Sequence, residues 1–479
     1  MTPVFTVQEI LIATGGRLTV GSKDQSVQGV STDSRQLARG NLFIALIGDN
    51  FNGHHFLDHA VRAGAAVLLV QADELIDLAK IPGGVGVVAV ADTLRALGDL
   101  ACAYRMRFSL PVIGLTGSSG KTTTREMLAG IIGLEKNVLA TQGNFNNLIG
   151  LPQTLLRLTA RHEAAIVEMG TNMPGEIKRL TEIAVPDIGL ITNIGTAHLG
   201  GFGSMEAIRE EKGALWMNMQ SSGCAVVNLD DESVGQIAQR WSGSRVTYSM
   251  SADADVTVKE IKKRGARGVR FQLICGGETC RVDMNIAGVH HIYNAMAAAA
   301  AARALGIGCA AICRGLASFS PVHGRMEIVE LQNGAYLVDD SYNANPASVR
   351  EALLTLKDLK STHRAFVFLG DMLELGDAAP EMHRKIGTLL ATTGVTVAFL
   401  QGEYAQNTVA GALEGGLAEE QIIEIAGGVE AAMACLKKKL RKGDWILVKG
   451  SRGMKMERIT AEIREVFGVR SAGDQTTEL

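Results

Sequence analysis

The sequence predicts an α/β fold divided into three domains, and three observations support this interpretation. The chain has 479 residues, more than a single hydrophobic core usually organises. Short apolar runs alternate with amphipathic helical patterns along most of its length, as in parallel sheets with crossover helices. A loop rich in glycine and serine follows one of these runs and opens a helix. We therefore expect a small α/β domain, a central domain on a parallel sheet, and a C-terminal Rossmann-like domain.

Proline-containing breaks place the two domain boundaries. Leu110 and Pro111 precede the central set of strand-like runs, and Ser320 and Pro321 precede a fresh set. We therefore expect domains at residues 1–109, 110–318 and 319–479.

Each of these domains contains its own predicted strands. Runs at 67–70 and 85–90 belong to the first domain. The central domain has runs at 112–115, 164–167, 188–192 and 225–228, and the last domain has runs at 335–338, 365–369, 395–400 and 445–448. The alternation with helices predicts two parallel sheets, the second of them Rossmann-like. The alanine-rich stretch after Asn294 predicts a buried helix, because small residues pack closely and favour helix.

Composition argues for a globular protein with a small partner. Hydrophobic residues make up 47% of the chain, charged residues 20%, and the net charge is −3, so neither disorder nor a general affinity for nucleic acid is indicated. Two basic stretches, at 262–270 and 437–442, lack interleaved aromatic residues. We interpret them as a hairpin tip and a helix end, where cations complement the helix dipole, and expect no nucleic-acid partner.

Cysteine usage and the N-terminal segment predict a cytoplasmic protein without a membrane span. The seven cysteines are Cys102, Cys224, Cys275, Cys280, Cys309, Cys313 and Cys435. Their number is odd and no CxxC pair occurs, so the spacing predicts neither a disulfide framework nor a zinc site. The first residues lack a basic start and an apolar core, and the longest run of small apolar residues, at 297–302, is far shorter than a membrane span.

The segment VIGLTGSSGKTTT at residues 112–124 predicts a phosphate-binding loop. Phosphate oxygens need backbone N–H donors at close approach, which the small side chains of residues 117–120 permit. Lys121 then supplies positive charge, Thr122 a hydroxyl for Mg²⁺, and the new helix its N-terminal dipole. Leu115 stands where the common GxxxxGK pattern has its first glycine, so that pattern is not met as written. The alternative is a strand-to-helix turn with chance glycines and lysine.

Two further side chains follow predicted strands, where such sheets place their chemistry. Glu168 ends an apolar run, as a Mg²⁺-binding carboxylate beside a phosphate loop would. His198 lies in the loop after another run and could contact metal or phosphate. The alternatives are a solvated carboxylate and a structural histidine.

Beyond these residues, the chain resembles the Mur ligase family of bacterial peptidoglycan synthesis over nearly its whole length. The short glycine spacing of TGSSGKT at 116–122 is that family's version of the phosphate loop. The other matching motifs are TQGNFNNLIGLP at 141–152, EMGTNMPGEI at 168–177, TNIGTAHL at 192–199, EEKGAL at 210–215, GVHHIYNAMAAAA at 288–300, HGRME at 323–327, DDSYNANPAS at 339–348 and LGDMLELG at 369–376.

The resemblance implies an ATP-dependent ligase that forms a peptide bond through an acyl phosphate. The DDSYNANP and LGDMLELG segments are similar to the branch of the family that adds D-alanyl-D-alanine to UDP-N-acetylmuramoyl-tripeptide. The first domain would then bind the UDP substrate, the central domain ATP, and the last domain would complete the ligase site. The resemblance also implies a role in cell-wall synthesis, cell shape and cell division, and a monomer whose last domain closes over the central one.

The same resemblance assigns nucleotide and metal ligands. The residues implied to bind ATP are Thr116, Gly117, Ser118, Ser119, Gly120, Lys121, Thr122, Thr123, His290, Asn294, Arg325 and Asp340. Those implied to support two Mg²⁺ ions are Thr122, Glu168, His198 and Lys212, the last as a carbamylated lysine, although an ordinary surface lysine is the alternative. Lys121, Lys212, Arg325 and His198 are the implied catalytic residues. His291 stands where relatives usually have asparagine.

Substrate contacts are implied in all three domains. Ser34 and Arg35 would hold the UDP end. Thr141, Asn146 and Asn147 would meet the sugar or peptide. The dipeptide pocket would draw on Asn343, Asn345 and Asp371.

Two alternatives to this function stay open. One is a related ligase, either the enzyme that adds the third residue or a folylpolyglutamate-type ligase. The DNPR-type motif of the third-residue enzyme is absent, and DMLELG occupies the comparable region. The other is a regulator that hydrolyses ATP without ligation, which the presence of Lys212, Arg325 and Asp340 disfavours.

Overall fold

The computed structural model describes residues 4–197, 199–425 and 428–470. Three main sheets follow one another along the chain, and helices pack against them. This arrangement confirms the predicted α/β class. The predicted boundaries fall between the sheets, one in the stretch 106–111 and the other in the stretch 318–326.

The first sheet has five strands in the order β2-β9-β8-β5-β4, parallel except for the β2–β9 pair. Its region contains the strands β1 Val4–Thr6, β2 Arg17–Val20, β3 Ser26–Gln28, β4 Val30–Ser31, β5 Leu42–Ile44, β6 Ile47–Gly48, β7 Phe51–Asn52, β8 Val67–Gln71 and β9 Gly86–Val90, and the helices α1 Val7–Thr14, α2 Leu57–Arg62 and α3 Thr93–Arg105. Thr6 and Glu9 form a capping box that starts α1, and Gly15 ends it in the left-handed conformation.

The central sheet has nine strands in the order β11-β12-β10-β13-β14-β15-β16-β17-β18. Its strands are β10 Val112–Thr116, β11 Val138–Ala140, β12 Ala164–Glu168, β13 Ile188–Ile191, β14 Cys224–Asn228, β15 Ser244–Ser249, β16 Val256–Lys263, β17 Val269–Cys275 and β18 Glu278–Met284. Its helices are α4 Lys121–Ile132, α5 Gly150–Leu155, α6 Glu176–Ala184, α7 Leu199–Phe202, α8 Met205–Met217, α9 Glu232–Arg240, α10 His290–Ala304 and α11 Cys309–Ala317.

This sheet is parallel from β11 to β16 and continues with two antiparallel strands, β17 and β18, of which the sequence indicated only the hairpin between β16 and β17. The basic stretch at 262–270 forms the turn between β16 and β17, as expected of a hairpin tip. The predicted alanine-rich helix is α10, whose residues 295–302 are buried between the sheet and its neighbouring helices. The side of α10 that faces α4 brings Asn294 to the phosphate loop.

The last sheet has six strands in the order β19-β20-β24-β21-β22-β23, parallel except for the β19–β20 pair. Its strands are β19 Glu327–Glu330, β20 Tyr336–Asp340, β21 Ala365–Gly370, β22 Val397–Gln401, β23 Ile422–Glu424 and β24 Trp445–Lys449, and its helices are α12 Pro346–Lys360, α13 Ala379–Thr392, α14 Ala405–Glu414, α15 Glu430–Lys439 and α16 Glu457–Phe467. Apolar clusters cover both of its faces, which is the Rossmann-like arrangement predicted. None of the helices in the described part of the chain has the length and apolar character needed to cross a bilayer.

The structure contains a disulfide that the spacing of the cysteines did not predict. Cys280 of β18 and Cys313 of α11 are joined as a disulfide, and Cys309 lies beside them. Spacing along the chain gave no sign of this group, because it forms only when the hairpin packs against α11.

Candidate active site

A cavity of about 830 Å³ opens at the carboxyl ends of the central parallel strands, and the last domain forms its opposite wall. Ligands bind at this edge in open α/β sheets. The predicted residues that line it are Ser118, Ser119, Gly120, Lys121, Thr122, Thr123, Asn146, Asn147, Glu168, His290, Asn294, Arg325, Asp340, Asn343 and Asn345. Packing thus gathers residues that are more than 200 positions apart into one site.

The loop between β10 and α4 has the backbone of a phosphate cradle. Gly117 and Gly120 both have positive φ angles, and a Cβ at Gly120 would collide with the Asn294 side chain. Asn193 fixes the loop, since its carbonyl accepts from the Ser118 N–H at 3.0 Å and its side-chain oxygen accepts from the Ser119 N–H at 2.9 Å. Glycine is therefore required here by both conformation and space.

Three polar side chains converge where the loop becomes a helix. Lys121 donates to the Gly117 carbonyl at 2.5 Å, and Arg325 of the last domain donates to the Thr122 hydroxyl at 3.1 Å. Arg325 also stacks on Tyr342, with its guanidinium carbon 4.3 Å from the ring centre. Burial lowers the pKa of Lys121, Glu168 opposes this shift, and Arg325 reinforces it. Two cationic groups thus face the same small volume, as a highly charged anion requires.

Glu168, at the end of β12, places a carboxylate beside Lys121 and Arg325. Its carboxylate accepts from Asn146 at 2.9 Å and lies 3.4 Å from the Thr122 hydroxyl. Arg125, one turn beyond Lys121 on α4, donates to the Glu168 carboxylate at 2.9 Å. Both side chains of this ion pair are almost fully buried. A carboxylate and a hydroxyl are ligands that Mg²⁺ prefers, so the residues present fit a magnesium ion next to the loop.

Two histidines at the start of α10 form another wall of the cavity. Burial lowers the pKa of His290 to about 4, and it also lowers the pKa of His291. Both rings are therefore neutral at physiological pH. His291 Nδ1 lies 3.2 Å from the amide nitrogen of Asn294, whereas His291 Nε2 and His290 Nδ1 have no hydrogen-bond partner within the described structure. Such buried ring nitrogens suit a planar polar ligand that supplies the missing hydrogen bonds.

Asp340 and Lys449 form an ion pair at the ends of two adjacent parallel strands. Lys449 Nζ lies 2.5 Å from the Asp340 carboxylate and 2.9 Å from the Asn343 carbonyl. Burial raises the pKa of Asp340, and the charges of Lys449 and Arg325 oppose this shift. Lys449 therefore keeps a carboxylate in the cavity wall that burial alone would disfavour.

Lys212, on α8, is only 2% exposed and does not line the cavity. Burial is the main cause that lowers its pKa to about 7, with the charge of Lys121 as the second cause and Glu211 acting in the opposite direction. Glu211 is itself engaged, because its carboxylate accepts from the N–H groups of Gly175 and Ile177, both at 2.7 Å. A substantial fraction of Lys212 is therefore a neutral amine near neutral pH.

The other predicted residues lie away from the cavity lining. The Thr116 hydroxyl donates to the Met169 carbonyl at 2.8 Å, the Gly117 carbonyl accepts from Lys121, and the Thr141 hydroxyl accepts from the Glu168 N–H at 3.0 Å. Asp371 is buried in the last domain, where its carboxylate accepts from the N–H groups of Glu403 and Tyr404 at 2.7 and 3.2 Å.

In the first domain, Ser34 is buried and Arg35 is exposed and paired with Asp33. This domain contacts the central one at several points: the Thr32 hydroxyl accepts from Gln153 at 2.8 Å, the Tyr104 hydroxyl donates to the Leu158 carbonyl at 2.9 Å, and Arg179 pairs with Asp99 at 2.6 Å. His198 lies outside the described residues.

Sequence reasoning missed Arg125 and Lys449. Each had a signal: Arg125 follows Lys121 at helical spacing, and Lys449 ends a strongly apolar strand. Neither signal identifies a buried ion pair, because the partner carboxylate lies on a different strand.

Comparisons with known proteins cover nearly the whole chain. Three family models match: the Mur ligase family catalytic domain at residues 26–105, the Mur ligase middle domain at 115–302, and the Mur ligase glutamate ligase domain at 324–452. UDP-N-acetylmuramoyl-tripeptide–D-alanyl-D-alanine ligase of Bacillus subtilis is 34% identical over 96% of this chain and 98% of its own. The Escherichia coli enzyme of the same name is 35% identical over 92% of this chain and 95% of its own.

Comparison with solved structures identifies the same family. MurF from Acinetobacter baumannii superposes with a TM-score of 0.88 at 32% identity, covering 97% of this chain and 99% of that one. MurF ligase from Thermotoga maritima in complex with ADP gives a TM-score of 0.80 at 27% identity, covering 91% of this chain and 97% of that one. The resemblance inferred from the motifs is thereby confirmed. The chain belongs to the Mur ligase family, and within it to the group of UDP-N-acetylmuramoyl-tripeptide–D-alanyl-D-alanine ligases.

Proposed function

We propose that this chain is an ATP-dependent ligase that joins D-alanyl-D-alanine to the terminal carboxylate of UDP-N-acetylmuramoyl-tripeptide, releasing ADP and phosphate. One observation carries the proposal: Lys121 and Thr122 of the phosphate loop share a cavity with Arg325, which reaches them from the last domain. Relatives of that name, 34% and 35% identical over nearly the whole chain, support the choice of substrates.

The chain's own residues suit a nucleotide triphosphate and magnesium. Lys121 and the backbone N–H groups at the start of α4 would hold the phosphates, His290, His291 and Asn294 the base, and Asp340 the ribose. Glu168 and Thr122 would hold one Mg²⁺, which supplies positive charge to the phosphate oxygens when bound. We propose that His198 and Lys212 help to hold a second Mg²⁺.

In the first step, a carboxylate oxygen of the tripeptide attacks the γ-phosphorus, the bond to the ADP oxygen breaks, and an acyl phosphate forms. Lys121 and Arg325 neutralise the charge that spreads over the transferred phosphoryl oxygens. In the second step, the amine of D-alanyl-D-alanine attacks the activated carbonyl carbon, loses a proton, and phosphate leaves. Because water would hydrolyse the acyl phosphate, the wall contributed by the last domain also serves to exclude solvent.

We further propose that Lys212 is carbamylated. The neutral amine adds to CO₂ and releases a proton, which converts a lysine into an anionic carbamate. A pKa near 7 supports this reaction, since it provides the neutral amine at physiological pH. The resulting carboxylate group would help to bind the second Mg²⁺.

The remaining substrate contacts are also proposals. Ser34 and Arg35 would bind the UDP end, and Thr141, Asn146 and Asn147 would meet the sugar or peptide. Asn343, Asn345 and Asp371 would serve the dipeptide. The structure supports four of these proposed contacts directly, because the side chains concerned line the cavity: Asn146, Asn147, Asn343 and Asn345.

We propose domain boundaries at 109/110 and 318/319, and a monomeric enzyme in the cytoplasm, where ATP and UDP-linked precursors are made. Light scattering on the purified chain would check the monomer.

The decisive experiment measures phosphate release from MgATP with UDP-N-acetylmuramoyl-tripeptide, comparing D-alanyl-D-alanine with single amino acids and following the product by mass. We expect release that depends on the dipeptide and a product heavier by one dipeptide residue. A gain of one amino acid would assign the chain to an earlier ligation. Release without any adduct would favour the non-ligating regulator.

A further inference from the structure

A group of cysteines lies between the β17–β18 hairpin and α11, on the edge of the central sheet. Cys275 ends β17 and Cys280 belongs to β18, and the strand register places both side chains on the face that α11 covers. Cys309 is the first residue of α11 and Cys313 follows one turn later, so their side chains share one face of that helix. The fold thus collects four of the seven cysteines in one layer.

Three of these sulfur atoms form a compact group. The Sγ atoms of Cys280, Cys309 and Cys313 all lie within 4.8 Å of one another. Cys309 Sγ is 3.9 Å from Cys280 Sγ, and the sulfurs of Cys280 and Cys313 are in bonding contact. Thiolates bound tetrahedrally to one Zn²⁺ at about 2.3 Å are about 3.8 Å apart, close to the Cys280–Cys309 separation.

The surroundings favour a bound cation over free thiolates. Cys309 and Cys313 are at most 7% exposed, so a free thiolate there would lack solvation by water. A metal ion compensates for this loss by binding the thiolate directly.

A disulfide accounts for only two of the three sulfurs, and the third, Cys309 Sγ, lies 3.9 Å from both Cys280 Sγ and the Glu278 carbonyl. We propose that the reduced protein binds one thiophilic divalent cation, Zn²⁺, through the thiolates of Cys280, Cys309 and Cys313. The ion would tie the outermost strand, β18, to α11 at residues distant in sequence from the phosphate loop. Binding at these thiols excludes the Cys280–Cys313 disulfide, so the site belongs to the reduced state.

The test uses the full chain, reduced and freed of metal, and titrated with Co²⁺ as a spectroscopic probe. We expect sulfur-to-cobalt charge-transfer absorption that saturates at one equivalent and disappears when one equivalent of Zn²⁺ is added. The residues lining the nucleotide cavity offer oxygen and nitrogen donors, so cobalt bound there does not produce this band. Absence of the band in the folded wild-type chain would overturn the proposal, as would a Cys280–Cys313 disulfide that persists in reductant.

Matched variants identify the ligands. Cys309→Ser should reduce Co²⁺ charge-transfer intensity and Zn²⁺ affinity by at least tenfold, whereas Cys435→Ser, on α15 of the last domain, should leave both unchanged. The assignment would be contradicted if both variants lost metal affinity equally, or if Cys309→Ser lost none. If a variant fails to fold, the Co²⁺ titration of the wild-type chain still decides whether the proposal holds.

Discussion

Arg325 of the last domain donates a hydrogen bond to the hydroxyl of Thr122, at 3.1 Å, across the boundary between two domains. Thr122 is the second residue of the helix that begins at the phosphate loop. The contact is reinforced by the Asn345 amide, which lies 3.4 Å from the Ser118 carbonyl. The last domain thus supplies a cation to the phosphate site, so the position of that domain controls whether the site is complete.

Replacing Arg325 with alanine should lower the rate of ligation by about 10²–10³-fold, because one preorganised donor to the transferred phosphoryl group is lost. The measurement is kcat for dipeptide-dependent phosphate release. Arg384→Ala removes an exposed arginine of the same domain that pairs with Glu414, and it should retain wild-type activity. Similar rates for Arg325→Ala and Arg384→Ala would disprove the phosphate role.

Lys212→Ala should abolish ligation, since the proposed carbamate is lost, and a short-chain carboxylic acid should restore part of the activity by replacing the missing carboxylate. Ligation is measured with and without added acetate or propionate. Lys178→Ala, at an exposed position on α6, serves as the control. It should keep wild-type ligation activity, and added acid should not alter that activity. Full activity of Lys212→Ala without added acid would refute the carbamate.

Lys212 should also make stability depend on pH. In the unfolded chain this lysine keeps its proton up to about pH 10.5, whereas in the folded chain it loses the proton near pH 7. Between these values the unfolded state binds more protons, so the free energy of unfolding rises with pH. Thermal melts in CO₂-free buffer at pH 7, 8 and 9 should show this rise in the wild type and a smaller one in Lys212→Met. Parallel curves would show that Lys212 is not the titrating group.

Arg125→Met should destabilise the protein by about 3–5 kcal/mol, because it leaves the buried Glu168 carboxylate without its ion-pair partner. Arg384→Met breaks an exposed pair and should cost at most about 1 kcal/mol. Denaturant unfolding of both variants provides the comparison. The interpretation fails when the two variants lose similar stability.

His291→Phe should raise the KM for ATP about tenfold, because a buried ring nitrogen that faces the cavity is replaced by carbon and roughly one hydrogen bond is lost. His291→Asn keeps polar atoms at this position and should stay within about threefold of wild type. Steady-state kinetics with varied ATP at saturating tripeptide and dipeptide distinguish the two. A wild-type KM in the phenylalanine variant would place His291 outside the nucleotide contacts.

Much of the fold could be predicted because its signals are local. The strands at 112–116, 164–168 and 445–449 each begin with a continuous apolar run of four residues, and residues 117–122 carry the loop motif in consecutive positions. The hairpin at 262–270 was predicted, but the addition of β18 and the joining of these strands to the central sheet were not, because strand pairing depends on how the connections pack rather than on any one run.

By itself, the sequence determined the α/β class, the phosphate loop and the family, since each rests on the order of neighbouring residues. Only the tertiary structure decided that Arg125 pairs with Glu168, that Lys449 pairs with Asp340, and that three cysteines meet beside α11. It also decided the lowered pKa of Lys212, which depends on exclusion from water and on the nearby charge of Lys121. The physical reason is common to all of them: burial and charge proximity arise when segments distant in sequence pack together.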